Sequence, residues 1–429
     1  MFSTKRGHAH QLTLPDLHAL AKSSLLVQRN SPKFCPEAFL FTLIKGVISG
    51  RGTLRKLAQN MGKSLDNCMS KQALWQRFTP KSTTYLQSVL NALMEQRLAA
   101  VRTPLLNANI KRVVVEDSTS LVMNKKNAEH FPAHGNHCGA TAGVKIDLAY
   151  DLMSGSCVSH TLNKATEQDK LLGKEVLSFI EPGDLVLRDM GYFVIASFIE
   201  IEGMNAHWLS RLPLNCNASL EKGDSIEKLL KYATSNIIDQ QILLGEKDKH
   251  PCRLVAIRAD SKLVEQRRRN RRELARKKGV MPSAKGLIRD GWHLMVTSLT
   301  FEQASAGELA QLYTSRWSIE LEFRGLKGEL NLKGVLNRKT NEHHHYALII
   351  SAMIAHQISM KFWNIYEPVL HSQKKRLSLE KLMGSVIDML SESSFLKDLY
   401  LFNPDPRHIA YEKRANRLTH VNQAFMPLT

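Results

Sequence analysis

Hydrophobic positions along the chain change their period near residue 110. Before that point apolar residues recur at helical spacing. Residues 37–49 (EAFLFTLIKGVIS) predict one helix, broken by Gly50-Arg51-Gly52. Thr53 is placed to cap a short helix, TLRKLAQNMG, stopped at Gly62. Residues 70–78 (SKQALWQRF) give another, which Pro80 is expected to end, and a longer helix runs from Thr83 to about Arg102. The gap at 63–69 between the two short helices exceeds an ordinary helix-turn-helix turn. A helix-turn-helix and a plain helical bundle both remain open.

After residue 110 the pattern turns to strands. Residues 112–116 (RVVVE) form a continuous β-branched run, read as a buried strand ending on Asp117. Val144, Ile146, Leu148 and Tyr150 alternate with polar residues, Ser154-Gly155-Ser156 turns the chain, and 157–162 returns as a third strand. Residues 167–180 carry Leu171, Leu172, Val176 and Phe179 at helical spacing, up to a stop at Pro182-Gly183. Residues 184–188 (DLVLR) make a fourth strand ending on Asp189; 195–201 read as helix and 206–212 as a fifth strand. The order β-β-β-α-β-α-β is that of an RNase H-like fold.

Residues 213–300 look like an insertion, with strands at 240–244, 252–258 and 292–298 and a basic run, RRRNRRELARKK, at 267–278. Helices follow at 302–312, from 315 to about 330, at 342–362 and at 377–401. The fold class is therefore α/β: an RNase H-like core, a mixed β-sheet with flanking helices, interrupted by a β-rich insertion. To it are added an all-helical N-terminal domain and C-terminal helices. The expected boundaries are 1–108 (helical, DNA-binding), 109–212 (first part of the core), 213–300 (insertion), 301–365 (the core's Glu-bearing helices) and 366–429 (C-terminal helices).

Composition narrows the partner. Of 429 residues 43% are hydrophobic, too many for bulk disorder, and 59 Lys+Arg against 40 Asp+Glu leave a net charge of +19. Such a charge favours a polyanion, and +11 of it falls in residues 1–110. The longest apolar run, 346–355, is far short of the ~20 residues needed to span a bilayer, so no membrane partner is expected. No apolar stretch follows the basic residues of MFSTKRGHAHQL, so no secretory signal is expected and a cytoplasmic location is. Cysteines at 35, 68, 138, 157, 216 and 252 form no CxxC, which suits free thiols in a reducing compartment.

Two constellations can carry chemistry. Asp117 and Asp189 end strands that are neighbours in an RNase H-like sheet, so both carboxylates can face one hard cation such as Mg²⁺. Aspartate after a strand is also an ordinary turn residue. The second is YTSRWSIELEFRGLK at 313–327. Taken as one helix, it gathers Tyr313, Arg316, Glu320, Arg324 and Lys327 on a face about 80° wide, with Glu322 on the opposite side. A solvated face with i,i+3 and i,i+4 ion pairs would look the same.

The spacing Tyr313-x2-Arg316-x3-Glu320-x6-Lys327 resembles the Y-x2-R-x3-E-x6-K signature of the bacterial insertion-sequence-four (IS-four) family of DDE transposases. VVVEDST at 113–119 and LVLRDMGYF at 185–193 resemble that family's two aspartate segments. The resemblance covers about 110–350, and SKQALWQRF resembles the family's N-terminal domain less specifically.

It implies that Asp117, Asp189 and Glu320 are catalytic metal ligands, holding two Mg²⁺ ions that Mn²⁺ can replace. They would cleave and rejoin DNA in cut-and-paste transposition of an insertion sequence. Tyr313, Arg316 and Lys327 would contact phosphates of the terminal DNA. Trp292, 21 residues before Tyr313, stands where hairpin-forming relatives stack a flipped base; a strand-core aromatic is the plain alternative. The implied partners are double-stranded DNA (the element's terminal inverted repeats and a target) and a second copy of the chain, a homodimer on DNA. The implied location is the bacterial nucleoid. A non-transposing nuclease and an inactive DNA-binding protein are the competing readings.

Other features have plainer expectations. Arg324 belongs to the cationic stripe beside Glu320. Arg267, Arg268, Arg269, Arg271 and Arg272 in the basic run are expected to contact phosphates. His343-His344-His345 open a helix and splay around it, as an exposed turn near DNA. Asp151 is a hairpin residue, Asp169 an early-helix charge, and Ser118 and Ser120 are hydrogen bonders beside Asp117 rather than nucleophiles.

Overall fold

The computed structural model describes residues 14–29, 33–50, 52–96, 98–104, 106–136, 139–168, 173, 176–247, 249–338, 340–372, 377–392, 406–409 and 425–427. The strands are β1 (Arg102–Pro104), β2 (Arg112–Met123), β3 (Pro132–Asn136), β4 (Gly139–Asp151), β5 (Cys157–Lys164), β6 (Asp184–Arg188), β7 (His207–Arg211), β8 (Ala218–Ser219), β9 (Ile237–Leu244), β10 (His250–Arg258), β11 (Trp292–Thr297) and β12 (Phe425–Pro427). Ten of them make one mixed sheet ordered β3-β4-β2-β6-β7-β11-β10-β9-β8, with β5 also on β4. β2 and β6 run parallel, as do β6 and β7, while β4 is antiparallel to β2. β1 and β12 pair apart from this sheet.

Alternation along the central strands separates two apolar layers. Val113 and Val115 of β2, with Leu185 and Leu187 of β6, join a cluster formed with the N-terminal and C-terminal helices. Val114 and Val186 point to the other face, into a second cluster with Phe198, Trp208 and Val296. On the first face the long helix Glu342–Ser372 packs against helices Pro36–Ile48 and Pro80–Glu95. The same apolar cluster runs from Leu17 to Ile409.

Several boundaries differ from expectation. β2 continues to Met123, so Asp117 lies within a strand and does not end one. Pro80 opens a helix, as a residue without an N–H can at the first helical position. The helix expected over 167–180 lies partly outside the described residues, as does Asp169; its end, Val176–Phe179, is a single 3-10 turn. The strands expected in the insertion do form, and they extend the central sheet through the pairing of β11 with β7. Asp151 closes its hairpin as expected, accepting from the amides of Val113, Met153 and Ser154. Five cysteines, at 35, 68, 157, 216 and 252, are free; Cys138 lies outside the described residues.

Candidate active site

Register brings the two aspartates together. Glu116 of β2 is opposite Arg188 of β6, so the next step along these parallel strands sets Asp117 beside Asp189. Neighbouring strands lie ~4.8 Å apart, and both residues follow on the face of Val115 and Leu187, toward the helical layer. Behind them Glu116 and Arg188 form a buried ion pair, Nε to Oε2 2.8 Å, each no more than 1% exposed.

The third carboxylate comes from a helix that is not continuous, contrary to the single-helix expectation. Ala306–Thr314 is α-helical, Ser315–Trp317 a 3-10 turn, Ser318–Arg324 α-helical and Gly325–Glu329 a π-helical turn. The hydroxyls of Thr314 and Ser315 donate back to the carbonyls of Gln311 and Leu312, a competition that bends helices. At Gly325 a Cβ would sit 2.7 Å from Met383 Sδ, so a larger residue would push the methionine tip of helix Leu379–Glu392 aside.

The broken helix still turns Tyr313 and Arg316 inward. Arg316 Nη1 lies 3.1 Å from Asp117 Oδ2, and the Tyr313 hydroxyl is 3.3 Å from the Arg188 carbonyl and 3.4 Å from Asp189 Oδ1. Burial pushes the Asp117 carboxyl above its ordinary value. The Ser118 amide and Arg316 pull it down, and Asp189 and Glu320 push it up again. Burial by itself would lower the Arg316 pKa, but Tyr313, Asp189, Asp117 and Glu320 all favour its charge, and the net shift is upward. The guanidinium thus contacts Asp117 and feels the charge of the other two carboxylates, and its buried Nε has no hydrogen-bond partner. Among the described residues no three Asp, Glu, His or Cys side chains are gathered closely enough to form a ready metal cluster. The oxygen-only donor set nevertheless suits a hard dication, and a cationic side chain already pairs with one of its members.

The remaining candidates divide. Arg324 is exposed, and Lys327 is half-buried, its ammonium pKa lowered by burial and by Lys333. Glu322 faces away, as the helical face predicted, and its Oε2 lies 2.5 Å from His356 Nε2 in the core. Trp292 is corrected: it is 4% exposed, with the Arg258 guanidinium 4.4 Å from its ring centre, so its ring face is not open to a base. The exposed indole of this region is Trp317, one residue after Arg316.

The basic run forms the helix Ser261–Lys277, and three of the five arginines expected to contact phosphates also bond within the protein. Arg267 donates to the carbonyls of Asp290 and Trp292, Arg268 to that of Leu287, and Arg271 forms a bidentate pair with Asp290. Arg269 and Arg272 face solvent, as do Arg276 and Lys277. His344 and His345 are corrected as well. They are buried, 4% and 0% exposed, where His344 meets Phe78 with ring centres 4.4 Å apart.

Arg211 went unnoticed in the sequence. It ends β7 level with Asp189 and acts electrostatically on Tyr313, Arg267 and His293, linking the carboxylate site to the basic helix. A lone arginine at a strand end carries no sequence signal; only strand register places it.

Comparison with known proteins gives one agreement across the chain. A family model described as transposase DDE domain matches residues 109–357. The transposase for insertion sequence element IS231F of Bacillus thuringiensis subsp. israelensis is 27% identical over 362 residues, 79% of this chain and 75% of that protein. The IS231D transposase of Bacillus thuringiensis subsp. finitimus is 26% identical over 406 residues, 89% of this chain and 84% of that protein. The IS1151 transposase of Clostridium perfringens is 22% identical over 404 residues, 89% and 85% of the two chains. A cryo-EM structure of a piggyBac transposase synaptic complex with hairpin DNA aligns at 12% identity and a TM-score of 0.41, over 95% of this chain and 81% of that one. That likeness is too slight to fix the fold.

Proposed function

Because the chain belongs to the transposase DDE-domain family, an enzyme family that cuts and transfers DNA, we propose that Asp117, Asp189 and Glu320 are its catalytic carboxylates. The observation that carries this is the Arg316 guanidinium, paired with Asp117 at 3.1 Å and held charged by Asp189 and Glu320 as well. A site that holds a cation against three carboxylates is built to take a stronger one. The element moved is an insertion sequence, as for the relatives named above.

Each residue then has a task. Asp117 would offer oxygens from within β2 and Asp189 from just past the end of β6. Glu320 offers a third from the helical layer. These residues would hold divalent cations, Mg²⁺ in two copies with Mn²⁺ as substitute, which would supply Lewis-acid chemistry at the scissile phosphate. Arg316 and Tyr313 orient the phosphodiester. Arg316 must yield its Asp117 oxygen when the cation binds, and its fixed planar donors suit a phosphate next. Arg211, Arg324, Lys327, Arg269 and Arg272 hold the flanking backbone, which sets position and not sequence.

The strand order β5-β4-β2-β6-β7, with β4 alone antiparallel to the other four, supports an RNase H-like core from 109–212 and 301–365. Residues 1–108 would read the element's terminal repeats, 213–300 would extend the sheet and carry the basic helix, and 366–429 would support assembly. Two copies would hold two DNA ends as a homodimer in the nucleoid. Among the described residues no helix is long and apolar enough to cross a membrane.

The test uses a labelled duplex carrying the element's end and flank, with Mg²⁺ or EDTA. The wild type should nick at the junction only with metal. Asp117→Asn, Asp189→Asn and Glu320→Gln should keep DNA binding and lose nicking by at least ~100-fold, the scale of removing one preorganised electrostatic contact. Retained nicking in any of the three would overturn that residue's assignment.

A further inference from the structure

Asp189 leads into a short 3-10 turn, Met190–Tyr192, whose backbone closes through Tyr192 N–H to the Asp189 carbonyl at 3.1 Å. The turn wraps from the metal-facing side of the sheet to the back. There the Tyr192 hydroxyl donates to Asp147 Oδ1, and both side chains are 2% exposed. Asp147 belongs to β4 and stands opposite Ser118, the residue after Asp117. The Ser118 hydroxyl is also within hydrogen-bonding reach of the phenol. Gly173 lies against the ring: a Cβ there would stand 3.2 Å from Tyr192 Cδ1.

These contacts close a loop through three strands. From Asp117 the chain leads to Ser118, across the register to Asp147, through the hydrogen bond to Tyr192, and back along the turn to Asp189. Backbone pairing between β2 and β6 stops at Glu116 and Arg188, one residue short of both carboxylates. Beyond that point Asp117 stays paired with β4 but no direct β2–β6 pairing joins it to Asp189, and the Tyr192–Asp147 bond links the two segments behind the sheet.

We propose that Tyr192 and Asp147 are positioning residues that set the spacing of Asp117 and Asp189 from behind the sheet, and so set the affinity of the site for its divalent cation. This rests on the metal-site reading above. Neither residue touches metal or DNA; they act as outer partners that hold ligands in place, whose loss typically costs 10–100-fold in metal affinity or activity.

The experiment is a Mg²⁺ titration of nicking on the labelled duplex, with DNA affinity measured in EDTA. In Tyr192→Phe, which removes one oxygen, the half-saturating Mg²⁺ should rise about 10–100-fold while DNA affinity stays within about twofold of wild type. Asp147→Ala should show the same shift, and the double variant no more than either single, because both remove one bond. Asp147→Asn keeps an acceptor oxygen and should recover most of the shift. An unmoved midpoint in Tyr192→Phe, or a double variant whose shift is the product of the two singles, overturns the proposal. Should Tyr192→Phe fail to fold, the Asn and Ala variants at 147 make the same comparison, and equal midpoints there overturn it. Asp189→Asn in the same series separates the two levels. If it nicks, the metal-site reading has failed. If it is dead while Tyr192→Phe is unmoved, only the positioning role has failed.

Discussion

Asp117 and its neighbour Glu116 face opposite sides of one strand and have opposite requirements. Asp117 sits among like charges, which suits a residue waiting for a cation. Glu116 is buried against Arg188, which also donates to the Gly173 carbonyl at 2.6 Å. Removing one partner of such a pair strands a buried charge. Arg188→Met should therefore lower unfolding free energy by ~3–5 kcal/mol, and adding Glu116→Leu should restore much of it, read by denaturant unfolding. Single and double variants of equal stability would show the pair to be inert. At this scale the sequence was informative where chemistry is local: an aspartate after an apolar strand, a fixed Tyr-Arg-Glu-Lys spacing. It left Trp292 open between a stacking residue and a strand-core aromatic, because the covering Arg258 comes from β10, and only the pairing of Arg258 with Trp292 across the sheet sets that contact.

Elements decide which charges are free to meet DNA. In the helix Ser261–Lys277, one row of arginines ties the helix to 287–292 and another faces solvent. Arg269→Ala and Arg272→Ala should each reduce the slope of log affinity against log salt by ~0.9, the value for one phosphate contact. Arg271→Ala should leave that slope and cost stability, because Asp290, 5% exposed, loses its bidentate partner. Filter binding across a salt series, with thermal melts beside it, checks both; a lower slope in Arg271→Ala alone would reverse the assignment. A count of eight cations in twelve residues could not separate these rows, since each faces its own surroundings only once the helix is docked. The Glu320 helix shows the same limit. Its inward stripe was legible, but its 3-10 and π-helical turns depend on the hydroxyls of Thr314 and Ser315 and on packing at Met383.

Across the whole molecule the strand order was legible, because each strand announces itself locally. The packing of the N-terminal helices on the long helix was not, since it joins residues far apart in sequence, such as Phe78 and His344. Burial there holds the His344 pKa down to about 3 and the His345 pKa down to about 4. The unfolded chain takes up these protons near pH 6.5, and the folded one resists until far lower. Stability should therefore be full above 6.5 and fall as pH drops toward 4, by ~1.4 kcal/mol per pH unit for each histidine. His345→Phe should flatten the decline in melting temperature between pH 7 and 5, and an unchanged decline would place its cause elsewhere. The central claim, that three carboxylates from two neighbouring strand segments and a helix form one metal site, is tested most directly by replacing Mg²⁺ with Fe²⁺ and mapping where locally generated hydroxyl radicals cut the polypeptide. Cuts close to Asp117, Asp189 and Glu320 together, lost with EDTA and in Asp117→Asn, are the predicted result; cuts at other segments, or near one of the three alone, would contradict it.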